Sequence, residues 1–279
     1  MTTRVEPIPA AWYDSDRVKQ PLVRELADLV HYRDLLAQMI VNIAKARYKR
    51  SVLGVLWTLM NPVLNTVVLT VAFASIFRAD LPNYPVYVLS GLVCWNFFTT
   101  TTTFAMNSLI WGSSILRRIY IPRTIFAAAA VGNGLTSLGV TLIPLGLTML
   151  VLGHSWTPAL LVLPASVLLL AAFVFGVSLL VSSVAVLFTD FVEFYQVIVQ
   201  ALFFLTPVMY PVEILPDWAL PLLRFNPMFY LLQMFRLPVY FGRVPDASTT
   251  LIAIGVSVSA LVIGWFAFAR RVDELPYRI

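Results

Sequence analysis

Six stretches of this chain, 56–77, 86–107, 125–152, 160–188, 193–210 and 251–269, are almost wholly apolar and hold no Asp, Glu, Lys or Arg well inside them. A helix needs about 20 apolar residues to cross a bilayer core about 30 Å thick. The sequence therefore predicts an all-α membrane protein with six transmembrane helices. The fifth stretch is the shortest, and Pro207 and Pro211 crowd its end. The third and fourth have length to spare for tilt. Composition agrees, with 59% hydrophobic and 12% charged residues, against about 25% charged in soluble domains. The single cysteine, Cys94, cannot form an intramolecular disulfide and says nothing of redox compartment. No apolar block with a small-residue cleavage site opens the chain, so a cleaved signal peptide is not expected.

The few cations set an orientation. Lys45, Arg47, Lys49 and Arg50 precede the first span; Arg117, Arg118 and Arg123 lie between the second and third; Arg270, Arg271 and Arg278 follow the sixth. Cytoplasmic loops collect Lys and Arg, so these regions and both termini are expected in the cytoplasm. The opposite side holds Arg78, Arg224, Arg236 and Arg243, each with an acid nearby in sequence: Asp80, Glu213, Asp217 and Asp246. The net charge of +5 then needs no nucleic-acid partner.

Residues 1–34 read as a cytoplasmic N-terminal segment and 35–279 as the transmembrane domain. At its start, Gln38, Asn42, Lys45 and Lys49 recur at helical spacing opposite Leu36, Met39, Ile40 and Ile43. Such a helix, expected over 35–54, lies in the membrane surface or packs on the protein. Between the last two spans, 211–250 is too apolar for a plain loop and too broken by Pro211, Pro216, Pro221, Pro227 and Pro238 to cross. Two short re-entrant helices at an outer gate fit it, because non-helical backbone at that depth must be buried or line a cavity.

Chemistry is conspicuous by omission. The chain has no GxxxxGK[ST] loop, no HExxH and no Cys/His metal set. His31 and His154 are far apart, each read as an ordinary satisfied or solvated histidine. Ion-driven pumps normally carry intramembrane ionisable groups, so any transport here draws its energy from a partner. The spans instead hold uncharged polar residues: Asn61 and Asn65, and the run Thr99 to Thr103. These serve helix packing or form a mildly polar wall. Aromatic residues near span ends form interfacial belts or stack on sugar rings. On the second reading, Asn61, Trp95, Phe98, Thr99, Phe203, Phe204 and Tyr210 are expected along a translocation path. Pro211, Pro216, Asn226 and Tyr230 are expected at the outer gate.

"ARYKRSVLGVLWTLMNPVL" resembles the opening signature of the polysaccharide-exporting ABC type-2 permeases, through Tyr48, Lys49, Arg50, Ser51, Leu53, Gly54, Trp57 and Pro62. "NSLIWGSSILRRIYIPR" (Asn107 to Arg123), "FFLTPVMYPVEILP" (Phe203 to Pro216) and "NPMFYLLQMFR" (Asn226 to Arg236) resemble three further family blocks, in family order. Thr189-Asp190 departs from an Arg-Asp frequent in relatives and leaves that loop less basic. The resemblance implies the membrane subunit of an exporter of O-antigen, teichoic acid or capsule glycan in the bacterial inner membrane. It implies a homodimer with two nucleotide-binding ATPase subunits, which hold the ATP and Mg, and a passenger carried on undecaprenyl diphosphate. The chain itself would need no cofactor. The resemblance makes 108–123 a coupling element, in which Ile115, Leu116, Ile119 and Tyr120 supply an apolar face and Arg117 and Arg118 the charge. A drug or lipid exporter of the same fold is the nearest alternative. A membrane-embedded lipid-linked sugar transferase is a more distant one, since only Asp190 and Glu193 form a close inner acidic pair.

Overall fold

The computed structural model describes residues 28–49, 56–77, 82–116, 121–188 and 190–271, and every regular element among them is helical. In order these are α1 (Arg33–Tyr48), α2 (Leu56–Phe77), α3 (Tyr84–Leu116), α4 (Thr124–Val151), α5 (Leu163–Ala185), α6 (Phe191–Leu205), α7 (Leu220–Phe225), α8 (Pro227–Val239) and α9 (Ala247–Arg271). Short 3-10 turns occupy Pro158–Val162 and Val212–Ile214. Thr124–Val151, Pro158–Ala185 and Ala247–Arg271 are long and apolar enough to cross a membrane by length and composition. α2, α3 and α6 overlap the other three apolar stretches.

α3 is the centre of the bundle, with α2, α4, α5, α6 and α8 packed on it. Leu89, Cys94 and Met106 of α3, Leu170 and Val174 of α5, and Leu231 and Phe235 of α8 are buried in one core. α5 and α9 form the closest pair. A Cβ on Gly264 would land on the Gly176 carbonyl, and one on Gly176 would land on the Ala260 backbone. Lipid tails are as apolar as the side chains, so such helices associate by backbone proximity and dispersion.

The two ends of the bundle differ. At one end Leu109 (α3), Ile125 and Phe126 (α4), Leu179 (α5) and Phe268 (α9) cluster, and Tyr32, Leu35, Leu36 and Met39 pack on them. This end carries Arg123, Arg270 and Arg271 and the Lys45-bearing helix, as the charge pattern expects of a shared side. At the other end the His154 ring joins two connections, with Nε2 donating to the Tyr240 carbonyl at 2.9 Å and Nδ1 3.3 Å from Asn83 Nδ2.

Several helix ends differ from their expected positions. α3 runs on to Leu116, absorbing much of the expected loop 108–123; Gly112 lets it pass under the Phe126 ring. α5 is entered through a 3-10 turn between Pro158 and Pro164 and ends at Ala185, short of 188. α6 stops at Leu205, short of 210, because the residue before a proline is pushed to extended backbone. Thr206, before Pro207, has φ −95° and ψ 132°. α1 ends at Tyr48, and 50–55 lie outside the described residues. Its apolar stripe turns toward α4, where a Cβ on Gly132 would meet the Ile40 side chain. Of the two readings of that stripe, packing on the protein describes Leu36, Met39 and Ile40.

Candidate functional site

Between α3 and α6 runs an open groove of about 560 Å³. α3 lines it with Trp95, Thr99, Thr100, Thr103, Phe104 and Asn107, and α6 with Gln196, Val199 and Gln200. No charged side chain lines it. Helical threonines turn their hydroxyl protons onto their own backbone. Thr100 Oγ1 donates to the Asn96 carbonyl at 2.6 Å, and Asn107 Nδ2 donates to the Thr103 carbonyl at 3.1 Å. The Thr100 hydroxyl oxygen and the Asn107 Oδ1 are left as acceptors, while the exposed Gln196 and Gln200 carboxamides bring donors and acceptors. Such a wall can exchange hydrogen bonds with a hydroxyl-rich passenger.

An aromatic run backs the groove. Trp95 lies 5.5 Å from Phe203 and 5.7 Å from Phe98 between ring centroids, and Phe203 lies 5.4 Å from Phe204. The structure thus brings four of the expected path residues together, but not equally near the surface. Trp95 and Phe98 are buried, Phe203 half-buried and Phe204 exposed. Thr99 lines the groove directly. Asn61 is apart, on α2, which packs against α3 and α4. It is exposed, and Asn65 Nδ2 donates to its Oδ1 at 2.6 Å. Behind the groove, Tyr195 donates to Thr102 Oγ1 at 2.8 Å in a buried bond that pins α6 to α3.

The second feature is the unwound segment after α6. Four successive carbonyls, 207 to 210, lie outside any helix, and each has a side-chain donor. Arg236 of α8 reaches Pro207 O through Nη1 at 2.6 Å and Val208 O through Nη2 at 2.7 Å. Tyr84 donates to Met209 O at 2.7 Å, and Tyr87 to Tyr210 O at 2.8 Å. Arg236 Nη1 also donates to the Tyr87 hydroxyl at 2.9 Å, and its guanidinium lies 3.8 Å from the Tyr87 ring centroid. Arg236 is fully buried at 1% exposure. This corrects the sequence reading, which placed it among outer-side cations balanced by nearby acids. Its acceptors are carbonyls just beyond the C-terminus of α6, where the helix dipole favours a cation. Gly91 makes the room, since a Cβ there would strike the guanidinium and come within 2.7 Å of Val208 O.

The expected gate residues fall around this segment. Asn226 caps α8, its Oδ1 accepting from Met228 N at 3.0 Å, and its Nδ2 donates to Thr206 Oγ1 at 2.8 Å. Thr206 in turn donates to Leu202 O at 2.7 Å. Pro211 is buried and Pro216 exposed. Tyr230 is half-buried and donates to Arg224 O at 3.0 Å, and Tyr210 donates to Phe204 O at 2.8 Å.

Ile115 and Leu116 form the last turn of α3. Arg117, Arg118, Ile119 and Tyr120 lie outside the described residues, as does Arg50. Lys45 and Lys49 are exposed, and Arg47 lies in the last turn of α1. Among the described residues, no group of three or more His, Cys, Asp or Glu is placed to hold a metal ion.

Comparison with known proteins matches residues 35–240 to the family model described as ABC-2 type transporter. The chain is 29% identical over 260 residues to an O-antigen export system permease protein of Myxococcus xanthus, covering 92% of this chain and 100% of that one. It is 28% identical over 207 residues to an O-antigen export system permease protein of Klebsiella pneumoniae, covering 73% and 79%. It is 25% identical over 236 residues to a capsule polysaccharide export inner-membrane protein of Neisseria meningitidis, covering 81% and 84%. With the uncharged groove and the apolar bundle, these matches identify the chain as a member of the ABC-2 type transporter family.

Proposed function

We propose that this chain is the membrane-spanning subunit of an ATP-driven exporter that moves a cell-envelope polysaccharide, carried on a lipid, across the cytoplasmic membrane. The observation that carries this is the uncharged α3–α6 groove, with threonine, asparagine and glutamine groups before an aromatic backing. A sugar polymer presents hydroxyls and flat apolar ring faces in alternation. A wall of amides, hydroxyls and aromatic faces matches both, and it holds no fixed charge to grip one repeat too strongly. The relatives named for O-antigen and capsule export support the same passenger class.

The subunit works as a homodimer. Asn61 and Asn65 are exposed on a helix that holds no charged residue, and a carboxamide facing lipid would leave donors and acceptors unsatisfied. A second copy covers that face or encloses it in the canal. Two ATPase subunits bind below, supply ATP and Mg, and meet the coupling residues from Ile115 to Tyr120, with Arg117 and Arg118 steering the contact. Both termini are cytoplasmic, together with the end that carries Arg123, Arg270 and Arg271. Residues 211–250 form the outer gate.

The test is deletion of the gene in its own cell, read by surface polysaccharide and by lipid-linked glycan left inside. Loss of the first with build-up of the second is expected. Restoration is expected with the wild-type chain and not with Gln196→Ala/Gln200→Ala, provided that variant still copurifies with its ATPase. Unchanged surface polysaccharide with no internal build-up would overturn the proposal.

A further inference from the structure

The sequence reads 211–250 as one gate, but the structure divides it. We infer that α8 is a fixed wall, locked to α3 and to the unwound end of α6 by Arg236, and that the outer mouth opens by motion of 211–225 alone. The inference rests on the exporter reading only where it speaks of a mouth.

The fixed part is tied at every turn. Asn226 joins the start of α8 to Thr206, and Arg236 joins its last turn to the carbonyls of Pro207 and Val208. Between them, Ser166 of α5 donates to Met234 O at 2.7 Å. Met228, Leu231, Leu232, Phe235 and Val239 are buried. Tyr84 and Tyr87, both on α3, hold the next two carbonyls of the same segment. To move α8 outward, the chain would have to bare two carbonyls and a guanidinium together, away from bulk water.

The segment 211–225 is built differently. Its backbone–backbone bonds are local turns, such as Ile214 N to Pro211 O, Leu215 N to Val212 O, and Ala219 N to Pro216 O, and one exposed side-chain bond, from Tyr230 to Arg224 O, reaches it from α8. Trp218, Leu222 and Phe225 are 73%, 55% and 87% exposed, while Leu223 alone in α7 is buried. Extended residues mark its breaks, at Pro211, Leu215 and Asn226. A segment with few buried apolar contacts and local bonds belongs to the low-stability end of a protein. This strap is therefore the part free to swing, with Pro211 and Asn226 as its two anchorages.

Hydrogen exchange on the full-length purified chain in lipid nanodiscs tests this without any substrate. Amides in 208–210 and 228–237 should exchange together and slowly, and those in 212–225 at least about tenfold faster. Arg236→Gln should speed exchange in 208–210 and in the first turns of α3, leave the middle of α9 unchanged, and be partly rescued by Arg236→Lys. Exchange of α8 at the rate of 212–225, or no response of 208–210 to Arg236→Gln, would overturn the inference. Export adds a second arm in a Cys94→Ala background. The Met234→Cys/Thr250→Cys pair replaces side chains whose atoms lie 3.6 Å apart and ties α8 to α9; export should persist when the pair is oxidised to a disulfide. A short bis-maleimide across Arg224→Cys/Tyr230→Cys, both at accessible positions, ties the strap to α8 and should arrest export. Arrest by the first bridge with export restored in its unbridged form would also overturn the inference. Should the unbridged chain export no glycan at all, the exporter reading fails, and the exchange data still decide the clamp.

Discussion

Removing the Arg236 guanidinium would strand the carbonyls of Pro207 and Val208 at once. An orphaned buried acceptor costs about 1–3 kcal/mol, so Arg236→Met should lose roughly 2–6 kcal/mol. Thermal unfolding in detergent should show this as a lower midpoint, with Arg236→Lys between the two because an ammonium reaches one carbonyl at a time. Asn226→Ala should cost about 1–2 kcal/mol, since loss of a cap alone is worth about 1 and the Thr206 bond goes with it. Asn226→Asp should be no better, although Asp also caps helices. Its carboxylate can accept from Met228 N but cannot donate to Thr206 Oγ1, whose proton is already given to Leu202 O. Near-wild-type unfolding of Asn226→Asp would show the cap, and not the link to Thr206, to be what matters there. Little of this was legible in the sequence. Arg236 stands 149 residues from Tyr87, and no periodicity links a tyrosine at the head of one apolar run to an arginine in a proline-rich zone. The visible hint was the proline zone itself, since broken backbone at membrane depth demands donors for its carbonyls.

Among the elements, sequence and structure agree on which stretches are helical and part over where they end. An apolar run measures compatibility with lipid; a helix end is set by hydrogen bonds. The α3 helix continues past 107 because the backbone from Ser108 to Leu116 still follows the helical ladder, and Gly112 lets it pass under the Phe126 ring. The α6 helix stops while the sequence is still apolar because Pro207 forbids the next turn. At 15 residues, α6 is about 22 Å long, short of a bilayer core, and the clamped segment carries the chain on beyond its end. A helix this short leans on its neighbours. Tyr195→Phe should remove about 1 kcal/mol with the buried bond to Thr102, and should loosen α6 against α3, read as faster exchange of the α6 amides. Unchanged exchange would mean that the surrounding packing alone holds α6. α9 begins differently, on the Asp246 carboxylate. Hydrogen bonds from Thr249, its side chain and then its N–H, hold that group below the usual carboxylate range. The depressed folded value means that its support of the first turn is whole above the unfolded pKa near 4 and is lost as pH falls through the folded one. Exchange at Thr249 and Thr250 should therefore quicken in acid beyond the intrinsic trend, and Asp246→Ala should abolish that extra step.

For the whole molecule, the basic end and the His154 end are the two surfaces a membrane would separate. Cysteines at Ser155 and Asp246, both exposed, should react with an impermeant thiol reagent added outside cells that carry Cys94→Ala. A cysteine at Lys49 should react only after the cells are opened. The reverse pattern would invert the proposed orientation. The positive-charge pattern made the gathering of Arg123, Arg270, Arg271 and the Lys45-bearing helix at one end readable, whereas the pairing of α5 with α9 was not, because Gly176 and Gly264 look alike with glycines that face open space, such as Gly139 and Gly255. One consequence follows from the length of α3. It is a single helix of 33 residues, with its one proline in the first turn. That makes it a rod of about 50 Å with Leu116 at the basic end and Tyr84 and Tyr87 at the His154 end. A stiff rod does not store a displacement; it delivers it. On the exporter reading, a displacement of the Leu116 end, where the motor would dock, is carried along the rod to the clamped wall, and the strap of 211–225 is the part left to move independently.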